Sequence, residues 1–352
     1  MLNFALVGCG RISKRHSELL GENKISGAKL VAVCDKILSK AEEISNKYKV
    51  NAYEDMHLMM ESESIDVVVV LTESGFHAKH TFELAPYGAH IIVEKPMALT
   101  LEDADKMIDV CNKFNTELFV VKQNRFNLPV VQLRKALISE RFGQLIMGTI
   151  RVRWCRTQEY YDQDYWRGTW ALDGGVLTNQ ASHHIDLLRW MFGEVESVFA
   201  KSKTALVDIE AEDTAAAVLK FRNGALGIIE ATTAIRPKDL EGSLSILGEK
   251  GSVEIGGFAV NEMKTWNFNN HQIYDEEVKK KFSVNPPNVY GFGHKAYYDH
   301  VIEYLQNRKI RPVNGVEGRK SLELINAIYH SIETGEEVSL ESLPKSLNLG
   351  RP

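Results

Sequence analysis

The chain has few cysteines and no excess of charge of one sign. Its 352 residues include four cysteines, and the 42 lysines and arginines nearly balance the 47 aspartates and glutamates, for a net charge of −5. Cys9, Cys34, Cys111 and Cys155 are scattered without the spacing of a metal site, so we expect reduced thiols in a cytoplasmic protein and no bound metal. The charge balance does not indicate binding to nucleic acid, whereas a few local arginines would suffice for a small anionic substrate.

Long apolar runs are also missing. No stretch approaches the roughly 20 apolar residues that a membrane-spanning helix needs, so we expect no membrane partner. Residues 1–8 are apolar but reach a glycine too early for a secretion signal, which also favours the cytoplasm. A chain of this length can form two domains, each with its own hydrophobic core.

Short apolar runs alternate with helix-like segments through the first third of the chain. Apart from Asp66, the run Ile65–Leu71 is apolar throughout, as in a parallel strand covered on both faces, and Thr100 with Asp103 can cap a following helix. We predict strands at Phe4–Val7, Leu30–Cys34, Ile65–Leu71, His90–Val93 and Leu118–Lys122, and helices at Arg11–Leu20, Leu38–Tyr48, His77–Tyr87 and Leu101–Phe114. This α/β pattern indicates a doubly wound parallel sheet, a dinucleotide-binding Rossmann domain over residues 1–123.

The pattern changes near Asn124. Longer alternating segments, separated by turn signals such as Asn223-Gly224, predict an α+β domain over residues 124–352 with a large, mostly antiparallel sheet. The predicted strands are Leu145–Trp154, Val195–Lys203, Thr214–Phe221, Ala225–Ala234 and Leu244–Leu247, and the predicted helices are Val130–Ile138, Thr178–Met191, Gly293–Gln306 and Val316–Ser331. We expect the last two helices to pack back on the body of the protein, and Tyr160–Trp170 to form a loop near the site.

A glycine-rich loop follows the first predicted strand and opens a helix. Gly8 would permit a tight turn, and Gly10 would let the backbone approach a pyrophosphate at the helix N-terminus. Asp35 ends the second strand, where a carboxylate can accept bonds from both ribose hydroxyls and would repel a 2′-phosphate, so NAD is favoured over NADP. The alternatives are a structural turn and a helix-capping aspartate. The candidate cofactor-binding residues here are Gly8, Gly10, Arg11, Ile12 and Asp35.

Glu94-Lys95-Pro96 follows the strand His90–Val93, at the edge where open α/β sheets bind ligands. A lysine at this place could donate to a sugar hydroxyl and stabilise the oxyanion as hydride leaves. The alternative for Lys95 is an ordinary surface lysine.

A second motif runs from Gly174-Gly175 to Asp186. Asn179 and His183 are four residues apart and Asp186 is three further on, so we predict that they share one face of a helix. Asp186 could then hydrogen-bond His183 and set its tautomer for proton transfer. His184 would point about 100° away and serve in packing. The alternative for His183 is also a structural role.

Taken together, these residues resemble the Gfo/Idh/MocA oxidoreductase family, and the likeness covers nearly the whole chain. The resemblance implies a nicotinamide dinucleotide at the carboxyl edge of the parallel sheet and catalytic roles for Lys95 and His183, with Asp186 and Asn179 orienting them. It also implies that the cofactor is lined by Thr72, Ser74, His77, Glu94 and Lys95.

Asn179 and Ala181 depart from the commoner family pattern, in which an aspartate and a glycine stand at these positions. Asn179 cannot ionise, so a proton relay through it is not expected. With Trp166 to Trp170, the motif looks more like the nucleotide-sugar branch, which includes UDP-N-acetylglucosamine and UDP-N-acetylglucosaminuronate 3-dehydrogenases of surface-polysaccharide synthesis. This likeness implies oxidation of the C3 hydroxyl of a UDP-N-acetylated sugar. The candidate substrate-binding residues are Trp166, Arg167, Asn179 and Arg156; the alternative for Arg156, as for Arg153, is an exposed strand charge.

Three other functions fit parts of the pattern. They are a dehydrogenase of inositol or another free sugar, an NAD-dependent glycoside hydrolase of the same fold, and a non-catalytic dinucleotide-binding regulator, against which Lys95 and His183 argue. Relatives are usually dimers or tetramers formed through the open face of the antiparallel sheet. We therefore expect a homo-oligomer, a dimer or a homotetramer, with which the apolar positions Ile228, Ala231 and Leu244 are compatible.

Overall fold

The structure is a computed structural model, and it describes residues 1–283, 291–309, 312–342 and 344–351. It divides into two compact units. Unit 1 consists of Met1–Val121 and His294–Lys320, and unit 2 consists of Lys122–Gly293 and Ser321–Pro352.

Unit 1 is built on a six-stranded sheet in which every strand pair is parallel. Its strands are β1 (Leu2–Val7), β2 (Ala28–Cys34), β3 (Asn51–Tyr53), β4 (Val67–Val70), β5 (His90–Val93) and β6 (Leu118–Val120). Their spatial order is β3-β2-β1-β4-β5-β6. The order reverses between β1 and β4, as it does in doubly wound nucleotide-binding sheets, which confirms the predicted Rossmann fold.

Unit 2 contains an eight-stranded sheet. Its strands are β7 (Leu145–Arg153), β8 (Val195–Lys203), β9 (Thr214–Phe221), β10 (Leu226–Thr232), β11 (Glu241–Gly248), β12 (Gly251–Gly256), β13 (Glu262–Phe268) and β14 (Val338–Ser339). The order is β13-β12-β11-β7-β10-β9-β8-β14. The pair β7–β10 is parallel and the other pairs are antiparallel, so the predicted, mostly antiparallel sheet is confirmed.

Helices cover these sheets. In chain order, the helices of the described residues are α1 (Ser13–Gly21), α2 (Leu38–Tyr48), α3 (Met56–Ser62), α4 (His77–Leu84), α5 (Leu101–Lys113), α6 (Leu128–Ile138), α7 (Gln158–Asp162), α8 (Ser182–Phe192), α9 (Asp275–Lys281), α10 (Gly293–Asn307) and α11 (Gly315–Thr334). Within the described ranges, every helix is too short or too polar to cross a membrane.

Burial explains the two strand patterns. All four valines of β4 are fully buried, as expected for a parallel strand covered on both faces. In β9 buried residues alternate with more exposed ones, because one face of this sheet is covered and the other is open. Thr100 caps α5 as predicted, since its hydroxyl oxygen accepts the backbone N–H of Asp103 at 3.1 Å. The prediction of a loop over Tyr160–Trp170 is wrong at its start, because α7 extends to Asp162.

A matched pair of substitutions tests which leucines hold unit 1 together. Leu6 is fully buried in β1, whereas the Leu58 side chain on α3 is 54% exposed. Leu6→Ala should cost about 2–5 kcal/mol of unfolding free energy through lost burial and an unfilled cavity. Leu58→Ala should stay within about 0.5 kcal/mol of the wild type. Denaturant and thermal unfolding measure both; equal losses in the two variants would contradict the assigned core.

Candidate active site

The glycine-rich loop is tight at one glycine and open at the next. Gly8 has φ +99°, and a Cβ there would lie 2.7 Å from the carbonyl carbon of Leu71 and 2.8 Å from the nitrogen of Thr72. A Cβ at Gly10 would meet no atom within 4 Å. Gly8 therefore makes the turn, and Gly10 leaves the open space that a pyrophosphate needs, so the loop fits a dinucleotide.

The predicted helix after this loop begins at Ser13 rather than Arg11. Arg11 and Ile12 lie in the turn that precedes α1, and the Ser13 hydroxyl donates to the Gly10 carbonyl at 2.5 Å. Their proposed contacts with the cofactor therefore come from the turn at the N-terminal end of the helix.

Asp35 is held in place by two backbone groups. Its Oδ2 accepts the N–H of Cys9 at 2.7 Å, and its Oδ1 accepts the N–H of Ile37 at 2.9 Å. Each carboxylate oxygen has a second acceptor site, so both can still receive a ribose hydroxyl. The neighbouring Lys36 pairs with Glu73 at 2.8 Å.

The loop after β4 is tied to the Lys95-Pro96 turn by His77. This buried ring has its Nδ1 2.7 Å from the Pro96 carbonyl oxygen and its Nε2 3.0 Å from the Thr72 carbonyl oxygen. Burial lowers the pKa of His77. Both ring nitrogens face carbonyl oxygens of the protein, so the ring ties these two segments together. The contact of His77 with the cofactor stays a prediction. Ser74, also buried, opens a short 3₁₀ turn in the same loop.

Glu94 lies in a buried cluster of unit 1. Its Oε1 is 3.0 Å from Nε2 of His16 and 3.6 Å from Nε2 of His294, and its Oε2 accepts the N–H of Lys95 at 2.9 Å. His16 contacts the Tyr298 hydroxyl through Nδ1 at 2.6 Å. Burial opposes the charged carboxylate, but the two histidines outweigh it and hold the pKa of Glu94 well below its usual range.

This cluster gives the Glu94 carboxylate partners on α1 and α10, and the same carboxylate fixes the backbone of Lys95. The place of Glu94 near the nicotinamide ribose stays a prediction. Glu94, His16 and His294 also offer three metal-ligand atoms within 4.8 Å of one another. Hydrogen bonds along Tyr298–His16–Glu94 account for this arrangement.

The predicted helix Thr178–Met191 is wrong at its start. Residues Val176–Gln180 form one π-helical turn, closed by the N–H of Ala181 on the carbonyl of Val176 at 2.8 Å, and α8 begins at Ser182. Asn179 and His183 therefore lie on different elements. The prediction of one continuous helix failed because it took 3.6 residues per turn, which a π turn does not have. The Asn179 amide donates to Asp173.

His183 is oriented by a residue that the sequence did not single out. The amide nitrogen of Gln123 lies 3.0 Å from Nε2 of His183, and both side chains are buried. Because an amide nitrogen donates, this contact is a hydrogen bond when Nε2 carries no proton.

The expected bond from Asp186 to His183 is replaced by a buried ion cluster. Arg125 donates to both oxygens of Asp186, at 2.7 and 2.8 Å, and Nζ of Lys122 lies 3.5 Å from Oδ1. Burial raises the pKa of Asp186, but Arg125 and Lys122 overcome this and hold it well below its usual range.

Sequence reasoning missed Lys122, Gln123 and Arg125. They form a polar run directly after β6, at the carboxyl end of a parallel strand, where ligands bind in such sheets. Their position after a parallel strand was the signal that could have identified them as site residues, although the run matches no motif.

The aromatic loop of unit 2 holds Arg167 between two rings. Its guanidinium carbon lies 4.5 Å from the ring centroid of Tyr160 and 4.7 Å from that of Trp166. Arg167 also donates to Asp164 at 2.8 Å and to the Tyr160 hydroxyl at 2.6 Å. The same hydroxyl accepts from Gln180 at 3.0 Å, and Gln180 donates to Asn179 at 2.9 Å. One network thus joins Arg167 to Asn179.

Arg156 and Arg153 differ in their surroundings. Arg156 donates to Asp239 at 2.9 Å and lies over the rings of Trp154 and Tyr160. Arg153 donates to both oxygens of Glu230 across the sheet, at 2.5 and 2.7 Å. Arg153 therefore fits the alternative of a strand charge, and Arg156 stays a candidate for binding substrate.

His184 has the packing role expected of it. It is fully buried against the Trp154 ring, burial lowers its pKa to about 3, and neither ring nitrogen has a hydrogen-bond partner among the described residues.

Two glycine variants separate the turn from the cofactor contact. Gly8→Ala should lower the melting temperature and abolish NADH binding, because a Cβ would clash with backbone at a positive φ. Gly10→Ala should keep the wild-type melting temperature and weaken NADH binding by about tenfold or more, a loss of about 1.4 kcal/mol, because its methyl enters space left for the cofactor. Thermal unfolding and NADH fluorescence titration measure the two effects. Wild-type affinity in Gly10→Ala would contradict this position for the pyrophosphate.

Known proteins resemble the chain over nearly its whole length. A solved WlbA dehydrogenase from Chromobacterium violaceum, in complex with NADH and UDP-GlcNAcA, is 42% identical, with a TM-score of 0.90 and coverage of 96% of this chain and 95% of that one. The WlbA dehydrogenase from Bordetella pertussis, in complex with the same two molecules, is 40% identical, with a TM-score of 0.89 and coverage of 96% and 97%. The myo-inositol 2-dehydrogenase of Thermotoga maritima is 29% identical over 97% of this chain and 99% of its own.

Family models match both parts of the chain. Residues 2–121 match the NAD-binding Rossmann fold of the oxidoreductase family, and residues 134–340 match its C-terminal alpha/beta domain. The match confirms the expected NAD cofactor. The protein belongs to the Gfo/Idh/MocA oxidoreductase family, whose members include NAD-dependent sugar and polyol dehydrogenases.

Proposed function

We propose that this protein oxidises the C3 hydroxyl of a UDP-N-acetylated sugar, UDP-GlcNAcA or UDP-GlcNAc, to a ketone during surface-polysaccharide synthesis. The observation that carries this proposal is the similarity, at 42% and 40% identity over almost the whole chain, to two dehydrogenases bound to NADH and UDP-GlcNAcA. A dehydrogenase of inositol or another free polyol is the second candidate, favoured by the 29% identical myo-inositol 2-dehydrogenase.

We assign His183 as the base that accepts the proton of the substrate hydroxyl. Its Nε2 lies 3.0 Å from the amide nitrogen of Gln123. An unprotonated Nε2 can accept the proton when the substrate hydroxyl takes the place of that amide. NAD, when bound, supplies the acceptor for the hydride that leaves C3, the carbon that carries this hydroxyl. The ammonium of Lys95 stabilises the negative charge that develops on the oxygen, and Glu94 fixes the Lys95 backbone.

Residues of unit 2 are proposed to bind the sugar nucleotide. Arg167 and Arg156 present guanidinium groups that suit phosphate or carboxylate oxygens, and the flanking aromatic rings restrict their motion. Trp166 adds an apolar surface, and Asn179 orients a hydroxyl of the sugar. Arg167 is joined to Asn179 through Tyr160 and Gln180, so these groups would respond to substrate together.

Loss of either proposed catalytic group should nearly abolish turnover. Lys95→Ala and His183→Ala should each reduce kcat by about 10²- to 10⁴-fold, the usual contribution of acid–base and electrostatic catalysis. NADH should bind both variants as it binds the wild type. Lys79→Ala and His271→Ala, at exposed positions, are the matched controls.

The assay incubates the protein with NAD, 2-oxoglutarate as a hydride acceptor, and UDP-GlcNAcA, UDP-GlcNAc or myo-inositol, and follows products by mass spectrometry. A UDP-sugar that has lost two hydrogens supports the proposal and identifies the substrate. Oxidation of myo-inositol alone would replace it with the second candidate. Near-normal turnover in Lys95→Ala or His183→Ala would refute the assigned roles.

We also propose that the open face of the unit 2 sheet joins copies of this chain. Phe199, Val218 and Ile228 are neighbours on β8, β9 and β10 and are 36–53% exposed. Ile228 was among the apolar positions expected on this face, whereas Ala231 and Leu244 are buried on the covered face. A contiguous apolar patch of this kind is typical of an interface.

A charge in this patch should separate the subunits. Val218→Asp would place a carboxylate in a desolvated interface, so light scattering after gel filtration should give the monomer mass for this variant and a multiple of it for the wild type. Leu58→Asp, at an exposed position in unit 1, is the control and should keep the wild-type mass. A monomeric wild type would refute the proposed oligomer.

A further inference from the structure

The π turn that precedes α8 is held by two residues outside it. A helical turn leaves its first N–H groups without partners inside the turn. Here the N–H of Gly175 donates to the Tyr329 hydroxyl at 3.1 Å, and the N–H of Leu177 donates to Oε1 of Glu212 at 2.9 Å. The N–H of Val176 donates to the Glu212 carbonyl oxygen, also at 2.9 Å. Glu212 and Tyr329 thus accept all three groups.

These two residues are bonded to each other. The Tyr329 hydroxyl donates to Oε1 of Glu212 at 2.9 Å, and it accepts from the hydroxyl of Thr178 at 3.0 Å. With Gly175, this one oxygen makes one donated and two accepted bonds, which is the full capacity of a phenol. Both side chains are buried, and Trp170 packs edge-on against the tyrosine ring.

There is no space between the turn and Glu212. A Cβ at Gly175 would lie 2.2 Å from both the carbonyl oxygen and Oε2 of Glu212. At Gly174, with φ +81°, a Cβ would lie 2.7 Å from the Thr178 hydroxyl oxygen. Gly175 therefore lets the turn rest directly on Glu212, and Gly174 leaves room for the Thr178 hydroxyl. A shift of the Glu212 side chain would disturb the turn.

The surroundings of Glu212 oppose its charged form. Burial raises its pKa to about 7, and the neighbouring acid Asp173 adds to the effect, although the bonds from Leu177 and Tyr329 oppose it. Its Oε2 is buried without a hydrogen-bond partner among the described residues. Tyr329 and Asp173 are the titratable groups that act on it from other segments. Within the side chain, Oε1 accepts the bonds from Leu177 and Tyr329, and a neutral amide oxygen could accept the same two bonds.

We propose that Glu212 and Tyr329 are positioning residues that fix the π turn, and through it the Asn179 amide and the start of α8, which carries His183. Asn179 lies inside the turn. Ala181, whose N–H closes the turn, is the residue directly before α8. The inference rests on the proposed function only in the roles given to Asn179 and His183.

The test compares Tyr329→Phe, Glu212→Ala and Glu212→Gln with the wild type. Tyr304→Phe is the matched control, because it also removes a tyrosine hydroxyl that donates to a glutamate, Glu117 at 3.1 Å, but within unit 1. Hydrogen–deuterium exchange of the peptide covering residues 174–181 reports the turn without any substrate. The kinetic readouts are kcat and KM for NAD on the substrate found above.

Tyr329→Phe and Glu212→Ala should speed exchange of this peptide about tenfold and lower kcat by about 10- to 100-fold, as expected for a slightly misplaced catalytic group, with KM for NAD unchanged. Glu212→Gln should be clearly less impaired than Glu212→Ala in both readouts, because its amide oxygen accepts the same two bonds, although its buried NH2 group gains no acceptor among the described residues. Tyr304→Phe should leave both readouts unchanged.

Wild-type exchange and kcat in Tyr329→Phe would overturn the inference. So would a Glu212→Gln variant as impaired as Glu212→Ala, because the neutral hydrogen-bonding role would then be wrong. If Glu212→Ala does not fold, the exchange and kcat of Tyr329→Phe and Glu212→Gln decide whether the pair fixes the turn. A wild type that oxidises no UDP-sugar would refute the proposed function, while the exchange data would still decide whether the pair holds the turn.

Discussion

The ion cluster around Asp186 is the interaction on which the candidate site of unit 2 depends. A buried carboxylate is tolerated only when opposite charges and hydrogen bonds replace its lost water, and Arg125 and Lys122 supply both. These two cations belong to the segment after β6, whereas Asp186 belongs to α8. The cluster therefore fixes the helix on that segment and brings Gln123, which lies between the cations in sequence, to Nε2 of His183.

Unit 1 uses the same principle with different partners. The buried Glu94 carboxylate is stabilised by His16 and His294, and its second oxygen holds the backbone of Lys95. In both units a buried anion lies within three residues of a proposed catalytic side chain. Each anion supports its neighbour through position and through its field rather than by contact with the reacting atoms.

The sequence predicted the elements whose pattern is local. The uninterrupted valines of β4, the Thr100 cap and the motifs around Lys95 and His183 were all visible. β3 was missed because its three residues are exposed or half-buried and form no apolar run, and α3 because seven residues are too few to show a helical period. The partners of the site were missed for another reason, since the need for glycine at position 175 arises from Glu212, which is distant in sequence and adjacent only in the fold.

The parallel pair β7–β10 has a consequence for how such a site can diverge. Parallel neighbours cannot be joined by a tight turn, and here the chain leaves the sheet after β7, returns at β8 and reaches β10 only after β9. That excursion carries Arg156, Arg167, Asn179 and His183. The excursion starts at β7 and ends at β8, and the ladders β7–β10, β10–β9 and β9–β8 hold both strands in place. Its aromatic loop can therefore change length and composition while the sheet keeps its register. Substrate preference can thus evolve within one connection of an otherwise constant scaffold.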